Sequence, residues 1–389
     1  MGEYKKLNEI ATIINGYAFK SSKYITNGYR VIRITNVQKG FLCDDDPKYY
    51  AQENSLSKHE LFEKDILISL TGNVGRVGFV EKDILPAYLN QRVGCIRINS
   101  ETILPRYLFH FLNNDLFEQM CIKEAKGIAQ LNLSTEWLKN VRVRVPSLED
   151  QQRIVNILDK AEEIRTKKKL ANEKLDEFIK STFIDMFGDT INNPLQWDIK
   201  YFKEFISFIT SGSRGWAKYY SNSGELFIRI GNVKNAILSM DDTQFVIAPK
   251  NKEAERTKVK ENDLLISITA DLGRTAVVDK KIANAGAYIN QHLCLVRLNK
   301  LNPIYAAHYI QHEYCKRQIK CLDQVGVKSG LNFDAIRNLK IINPPIELQN
   351  QFAQIVQKVE AQKEKNQKVI EQMNNLFNSL MQQAFNSSL

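Results

Sequence analysis

Residues 64–76, KDILISLTGNVGR, return as residues 262–274, NDLLISITADLGR. The offset is 198 residues (262 − 64), and it pairs Asp65 with Asp263, Ser69 with Ser267, Thr71 with Thr269, Gly75 with Gly273 and Arg76 with Arg274. The match continues on both sides with small slips. Arg33-Ile34-Thr35-Asn36-Val37 answers Arg229-Ile230-Gly231-Asn232-Val233, and Tyr88-Leu89-Asn90-Gln91 answers Tyr288-Ile289-Asn290-Gln291. Tyr107 and His110 answer Tyr305 and His308, Leu131-Asn132 answers Leu331-Asn332, and Pro146-Ser147-Leu148-Glu149 answers Pro344-Pro345-Ile346-Glu347. So many matches in one order make the chain an internal duplication, which decides the architecture before any element is assigned.

Each repeat has two parts. The first, of roughly 145 residues, carries short β-type runs (Arg30 to Asn36, Ile66 to Leu70, Gly94 to Ile98) between Gly, Asn and Asp turns, then a helical stretch from Pro105 to Lys123. The second is one long helix, of roughly 35 residues, with apolar positions at alternating steps of three and four. They are Ile154, Ile157, Ala161, Ile164, Ala171, Leu175 and Phe178 in the first helix, and Phe352, Ile355, Val359, Val369, Met373, Leu376 and Leu380 in the second. Lys168 and Asn366 interrupt the two seams at equivalent places, either to fix register or as a local hydrated gap. Prolines 146, 344 and 345 mark the helix starts, and Phe187-Gly188-Asp189 before Asn192-Asn193-Pro194 marks the end of the first helix.

The expected fold class is α+β: two tandem-repeated α/β domains, each followed by a long helix, the two helices pairing as an antiparallel coiled coil. The expected segments are 1–147, 148–190, 191–345 and 346–389. An antiparallel pair would hold the globular domains at opposite ends.

No run of 18 apolar residues and no apolar N-terminal leader is present, so the chain is expected in the cytoplasm, with its six scattered cysteines reduced. Lys and Arg number 54 against 44 Asp and Glu, a net charge of +10 that favours a polyanionic partner. There is no GxGxxG opening a helix, no Walker A loop, no HExxH and no GxSxG turn, and no catalytic residue is assigned. Asn343-Pro344-Pro345-Ile346 is similar to the Asn-Pro-Pro-aromatic motif of adenine methyltransferases but lacks the aromatic, and its counterpart Val145-Pro146-Ser147-Leu148 lacks the asparagine, so it reads as a helix entry. His308, His312 and Cys315 have helical metal-site spacing, but the counterpart segment of the first repeat keeps only His110, and no fourth ligand is evident. They read as surface or packing residues, and no metal or cofactor is expected on this chain.

Nucleic-acid readers need cations for phosphates and amide or guanidinium groups for base edges. Three repeated loops supply both. The first holds Lys20 after Gly16, with Arg214 after Gly212. The second holds Asn73 and Arg76, with Arg274. The third holds Lys126 and Gln130, with Lys328. Asn90-Gln91 and Asn290-Gln291 add repeated amides. Every one of these side chains also admits a structural reading, as a turn former, a solvated cation or a buried amide. The set as a whole, on a basic chain, favours DNA.

The two Asp65/Asp263 to Arg76/Arg274 segments, the run Pro-Ser-Leu-Glu-Asp-Gln-Gln-Arg-Ile-Val at 146–155 and the stretch Phe183-Ile184-Asp185-Met186-Phe187-Gly188-Asp189 together resemble the specificity subunit family of type I restriction-modification enzymes. The resemblance spans essentially the whole chain, although the first repeat has no tryptophan matching Trp197. It implies two target-recognition domains that read the halves of a bipartite, asymmetric site in double-stranded DNA. The helices would be the spacer ruler and the docking surface for two methyltransferase subunits and for motor-nuclease subunits. S-adenosylmethionine, ATP and magnesium would sit on those partners. A fused methyltransferase-nuclease partner is an alternative, and a self-sufficient methyltransferase a more distant one. The repeats differ most between Gln38 and Leu61 against Lys234 and Lys258, which implies different half-sites.

Overall fold

A computed structural model describes residues 3–127, 130–322 and 330–385. The chain divides into two compact units, Met1–Lys169 with Gln367–Leu389 and Leu170–Asn366. Each unit therefore joins one globular domain to half of each long helix.

In the first unit, Ile66–Ser69 lies between Val93–Ile98 and Val77–Phe79, and Ala11–Asn15 completes an antiparallel sheet. The run Ile-Leu-Ile-Ser does not alternate with polar residues because both faces of its strand are covered. Ile66 and Ile68 face a core with the helices Pro105–Leu112 and Asp115–Glu124. Leu67 faces a second core with Ile32 and Leu89 of a small mixed sheet, formed by Tyr49–Tyr50, Tyr29–Ile32 and Ala87–Leu89. The second unit repeats this plan. Its sheet runs Ile206–Ser211, Leu293–Leu298, Leu264–Ser267, Thr275–Val277, with Leu264 and Ile266 on one face and Leu265 on the other.

The helix expected from Pro105 to Lys123 is two helices. Asn114 breaks it, because its side chain accepts the Phe117 N–H at 2.8 Å and so caps a new helix. The run from Arg30 to Asn36 is a strand only to Ile32; a 3-10 turn follows over Ile34–Asn36. Asp65 and Asp263, the first matched acids of the repeat, are buried and each grips the arginine of the adjacent strand. Asp65 binds Arg97 Nε and Nη2 at 2.9 and 2.7 Å, and Asp263 binds Arg297 at 2.9 and 3.1 Å. Burial pushes the Asp263 carboxyl up, and the Arg297 guanidinium opposes that shift.

The long helices are Leu148–Phe187 and Ile346–Phe385, 40 residues each. No helix among the described residues is long and apolar enough to cross a membrane. In the first unit the start of the central helix (Val155, Leu158) packs with the end of the C-terminal one (Phe377, Leu380, Met381). In the second unit the end of the central helix (Ile179, Phe183, Phe187) packs with the start of the C-terminal one (Phe352, Val356, Val359). The pairing is antiparallel in both. Of the expected seam, Ala161, Phe352 and Val359 are buried, and Ile154, Ile164, Ala171, Leu175, Ile355, Val369, Met373 and Leu380 are half-buried. Ile157, Phe178 and Leu376 are exposed, at 39%, 50% and 41%, which corrects the expectation. Their neighbours Leu158, Ile179 and Phe377 take the inward places. In each unit the two half-helices pack on the globular domain as well as on each other, which widens and rotates the buried stripe.

Asn366 is not a hydrated gap. It is 2% exposed and donates to Asn172 Oδ1 at 2.8 Å, an amide pair that suits a register-fixing role. Its sequence counterpart Lys168 is half-buried and is not the partner in that pair. The flanking polar contacts follow the duplication. Lys363 binds Asp176 at 2.7 Å in the second unit, and their counterparts Arg165 and Asn374 meet at 3.4 Å in the first.

Each helix is fastened to its domain by a fully buried glutamine near its start. Gln151 donates to the Thr102 and Pro146 carbonyls at 2.8 and 2.9 Å and accepts the Leu104 N–H at 2.8 Å. Gln349 donates to the Pro344 carbonyl at 2.8 Å and accepts the Asn302 N–H at 2.9 Å. A Gln349→Leu chain keeps the volume but strands both backbone groups, and should lose about 3 kcal/mol of stability. Urea denaturation should show a lower midpoint at an unchanged slope.

Candidate nucleic-acid interface

Backbone hydrogen bonds bring the repeated loops into one ribbon in each domain. In the first, Tyr17 N–H donates to the Leu89 carbonyl and Gln91 N–H to the Tyr17 carbonyl, both at 2.9 Å, which lays the Gly16–Lys20 loop along Asn90–Arg92. Leu70 N–H donates to the Arg92 carbonyl at 3.0 Å and Leu133 N–H to the Leu70 carbonyl at 2.8 Å. The Thr71 hydroxyl donates to Asn132 Oδ1 at 3.0 Å. The second domain keeps the order: Gln291 N–H to Ser213 O, Ile268 N–H to His292 O, and Leu331 N–H to Ile268 O, all at 3.0 Å.

Two repeated small residues make this approach possible. A Cβ on Gly16 would stand 2.0 Å from the Asn90 carbonyl oxygen, and one on Gly212 would stand 2.0 Å from that of Asn290. Gly75 and Gly273 pack the second loop against the following helix, where a Cβ would stand 2.7 Å from Cys121 Cβ and 2.5 Å from Ile319 Cδ1. Ser69 and Ser267 close the same loop from within. Their hydroxyls bond the Asn73 and Asp271 carbonyls and accept the N–H of Arg76 and Arg274 at 3.1 and 2.8 Å. The most strongly repeated segment is thus a scaffold for a loop.

The candidate side chains divide by their surroundings. Lys20, Asn73, Gln91, Lys126, Gln130 and Arg214 are exposed on the ribbons. Arg76 is half-buried, donates to Gln38 Oε1 at 3.1 Å and lies 3.9 Å from Glu118, so part of its charge is spent within the domain. Arg274 is exposed but bonded to Asp271 Oδ2 at 2.5 Å. Asn90 is half-buried, and Gln291 is half-buried beside His292. Asn290 is buried and its Oδ1 accepts the His292 N–H at 3.2 Å, so it shapes the turn rather than facing outward. Lys328 lies outside the described residues.

Sequence reasoning passed over Arg92, exposed on the ribbon of the first domain, and His292, its counterpart in the second. The signal was present: both follow the repeated Asn-Gln pair directly. The segments that differ most between repeats also differ in form, with a 3-10 helix over Asn54–His59 in the first and an α-helix over Lys252–Thr257 in the second.

His308, His312 and Cys315 are packing residues. His308 lies edge-on to Phe352, His312 stacks on Phe183 at 4.2 Å, and burial pushes the Cys315 thiol up to about 12. Burial also holds His308 down at about 4, so its ring is neutral at pH 7.

The geometry defines a class: a tandem pair of α/β domains that each present a ribbon of basic and amide-bearing loops, on long antiparallel helices. The chain belongs to the type I restriction modification DNA specificity domain family, whose model matches residues 2–177 and again 197–375. It is similar to the type I restriction enzyme EcoBI specificity subunit of Escherichia coli, at 21% identity over 420 residues, covering 98% of this chain and 85% of that one. It is also similar to the MjaVIII specificity subunit of Methanocaldococcus jannaschii, at 30% identity over 181 residues, covering 44% of this chain and 43% of the relative. Among solved structures it shares the fold of the type I restriction-modification S subunit from M. genitalium, with a TM-score of 0.62 at 13% identity, covering 99% of this chain and 96% of that one.

The ribbon geometry makes a direct prediction. Gly212→Ala should displace the first loop of the second domain and cost about 2–4 kcal/mol. Gly231→Ala, whose new methyl meets nothing within 4 Å, should be near neutral. Thermal denaturation of the two variants measures the difference.

Proposed function

We propose that this chain is the DNA sequence-specificity subunit of a type I restriction-modification enzyme, acting in the cytoplasm. It reads a bipartite, asymmetric site in double-stranded DNA, one half with each domain. The observation that carries this reading is the same loop ribbon built twice on one scaffold, bearing different side chains, in a chain of the DNA specificity family. Exposed Lys20, Lys126 and Arg214 supply phosphate contacts, and Asn73, Gln91, Gln130 and Gln291 supply amides for base edges. The long helices set the distance between half-sites and dock two methyltransferase subunits and the motor-nuclease subunits. The subunit itself does no chemistry. S-adenosylmethionine, ATP and magnesium act on the partner subunits.

The deciding experiment co-expresses the chain with the modification subunit from its genomic neighbourhood and maps adenine methylation across the host genome. A single split motif that disappears with this gene is expected; a motif indifferent to the gene refutes the proposal. Removing seven residues from each long helix should change the spacing between the half-sites or abolish assembly, and an intact complex with the old spacing would refute the ruler.

The exposed cations give a second quantity. Lys126→Ala in the assembled complex should weaken binding to all duplexes alike and lower the slope of log affinity against log salt by about one. Arg76→Ala should change that slope less and thermal stability more, since its guanidinium is bonded within the domain.

A further inference from the structure

The two ribbons differ at one position in a way that bears on base choice. In the second domain the His292 ring bridges two neighbours. Its Nδ1 lies 2.7 Å from Thr269 Oγ1, and its Nε2 lies 3.2 Å from Gln291 Nε2. An amide NH2 has no lone pair to accept with, so Gln291 is the donor and the ring nitrogen facing it is bare. The ring proton is then on Nδ1 and is donated to Thr269 Oγ1. Backbone bonds hold both flanks, because His292 O accepts the Ile268 N–H and Ser213 O accepts the Gln291 N–H, each at 3.0 Å. One N–H of the Gln291 amide is thus used inward. Among the described residues its carbonyl oxygen and second N–H have no side-chain partner, an acceptor and a donor in one plane, the pair that matches N6 and N7 of adenine in the major groove.

In the first domain Arg92 stands in the place of His292. It is exposed, and its guanidinium has no ion pair among the described residues. Gln91 beside it is exposed and has no side-chain bond among the described residues. A guanidinium fork matches O6 and N7 of guanine. The same ribbon corner therefore presents an oriented amide in one domain and, in the other, an exposed guanidinium without an ion pair among the described residues.

We propose that His292 is a positioning residue that holds Gln291 as an adenine-reading amide of the second domain, and that Arg92, at the same corner of the first domain, reads guanine directly. This rests on the reading of the chain as a DNA specificity subunit. It deepens that reading by naming the residues through which the two half-sites come to differ.

The test uses the complete modification complex and duplexes carrying every single-base change in each half-site, with methylation as the readout. The wild-type complex comes first: absence of any split motif there refutes the underlying reading, before any variant is compared. Gln291→Ala should relax one A·T position of the second half-site, with discrimination falling about ten-fold and the first half-site unchanged. His292→Ala should relax that same position, and the double variant should be no worse than either single one. Arg92→Ala should relax one G·C position of the first half-site. The proposal is overturned if Gln291→Ala leaves every position as selective as before, or if His292→Ala keeps the selectivity that Gln291→Ala loses. It is equally overturned if Arg92→Ala spares every position of the first half-site, or if the variants lower methylation evenly with selectivity unchanged. Should His292→Ala fail to assemble, His292→Phe keeps the ring, removes its acceptor and carries the same expectation.

Discussion

Two buried glutamines settle where each long helix leaves its domain. Gln151 and Gln349 satisfy backbone groups that the turns before the helices would otherwise strand: carbonyls on the entering chain, and an N–H at the start of the helix packed beneath. A buried backbone group without a partner costs free energy comparable to the whole contribution of a hydrogen bond, so these junctions tolerate little play. A ruler made of helix is only as exact as its ends. The same contacts therefore link a local feature, an amide at the fourth position of a helix, to the claim that this chain measures a distance on DNA.

Once the ends are held, the rest of the helix pairing is constrained by polar groups rather than by apolar ones. Val155, Leu158, Val356 and Val359 bury area but tolerate sliding. The Asn172–Asn366 amide pair does not, since a shift of register leaves Asn366 buried without its partner. The Lys363–Asp176 and Arg165–Asn374 contacts flank it as duplicates of each other, one an ion pair and one a guanidinium on a neutral amide. They show that the duplication extends to the register of the helices and not only to the globular domains.

Much of this was legible in the sequence, because duplication writes each structural device twice. The repeated prolines and acids gave the helix starts, and the Asp65–Arg76 and Asp263–Arg274 blocks gave the central strand and the loop it carries. What escaped did so for physical reasons. The break at Asn114 is a capping choice between two polar neighbours, invisible to apolar periodicity. Ile157, Phe178 and Leu376 fit a heptad template but face outward, because each half-helix also packs on the globular domain of its unit and no two-helix template contains that second surface. Arg76 read as a free cation until its neighbours were in place: Gln38 and Glu118 reach it from distant parts of the chain.

The same logic separates scaffold from reader at the ribbons. Positions that recur in both domains, such as Ser69 and Ser267, Gly16 and Gly212, or Asp65 and Asp263, are occupied in holding the backbone. Turned inward and the same in both, these residues carry no difference between half-sites. On the proposed reading, discrimination resides where the fold is equal and the residue is not. Arg92 against His292 is such a place: matching backbone bonds, from Leu70 N–H to the Arg92 carbonyl and from Ile268 N–H to the His292 carbonyl, hold the pair at one point of the ribbon. A duplicated reader of an asymmetric site needs both kinds of position, one kind to hold two loops in a common shape and the other to give each loop its own chemistry.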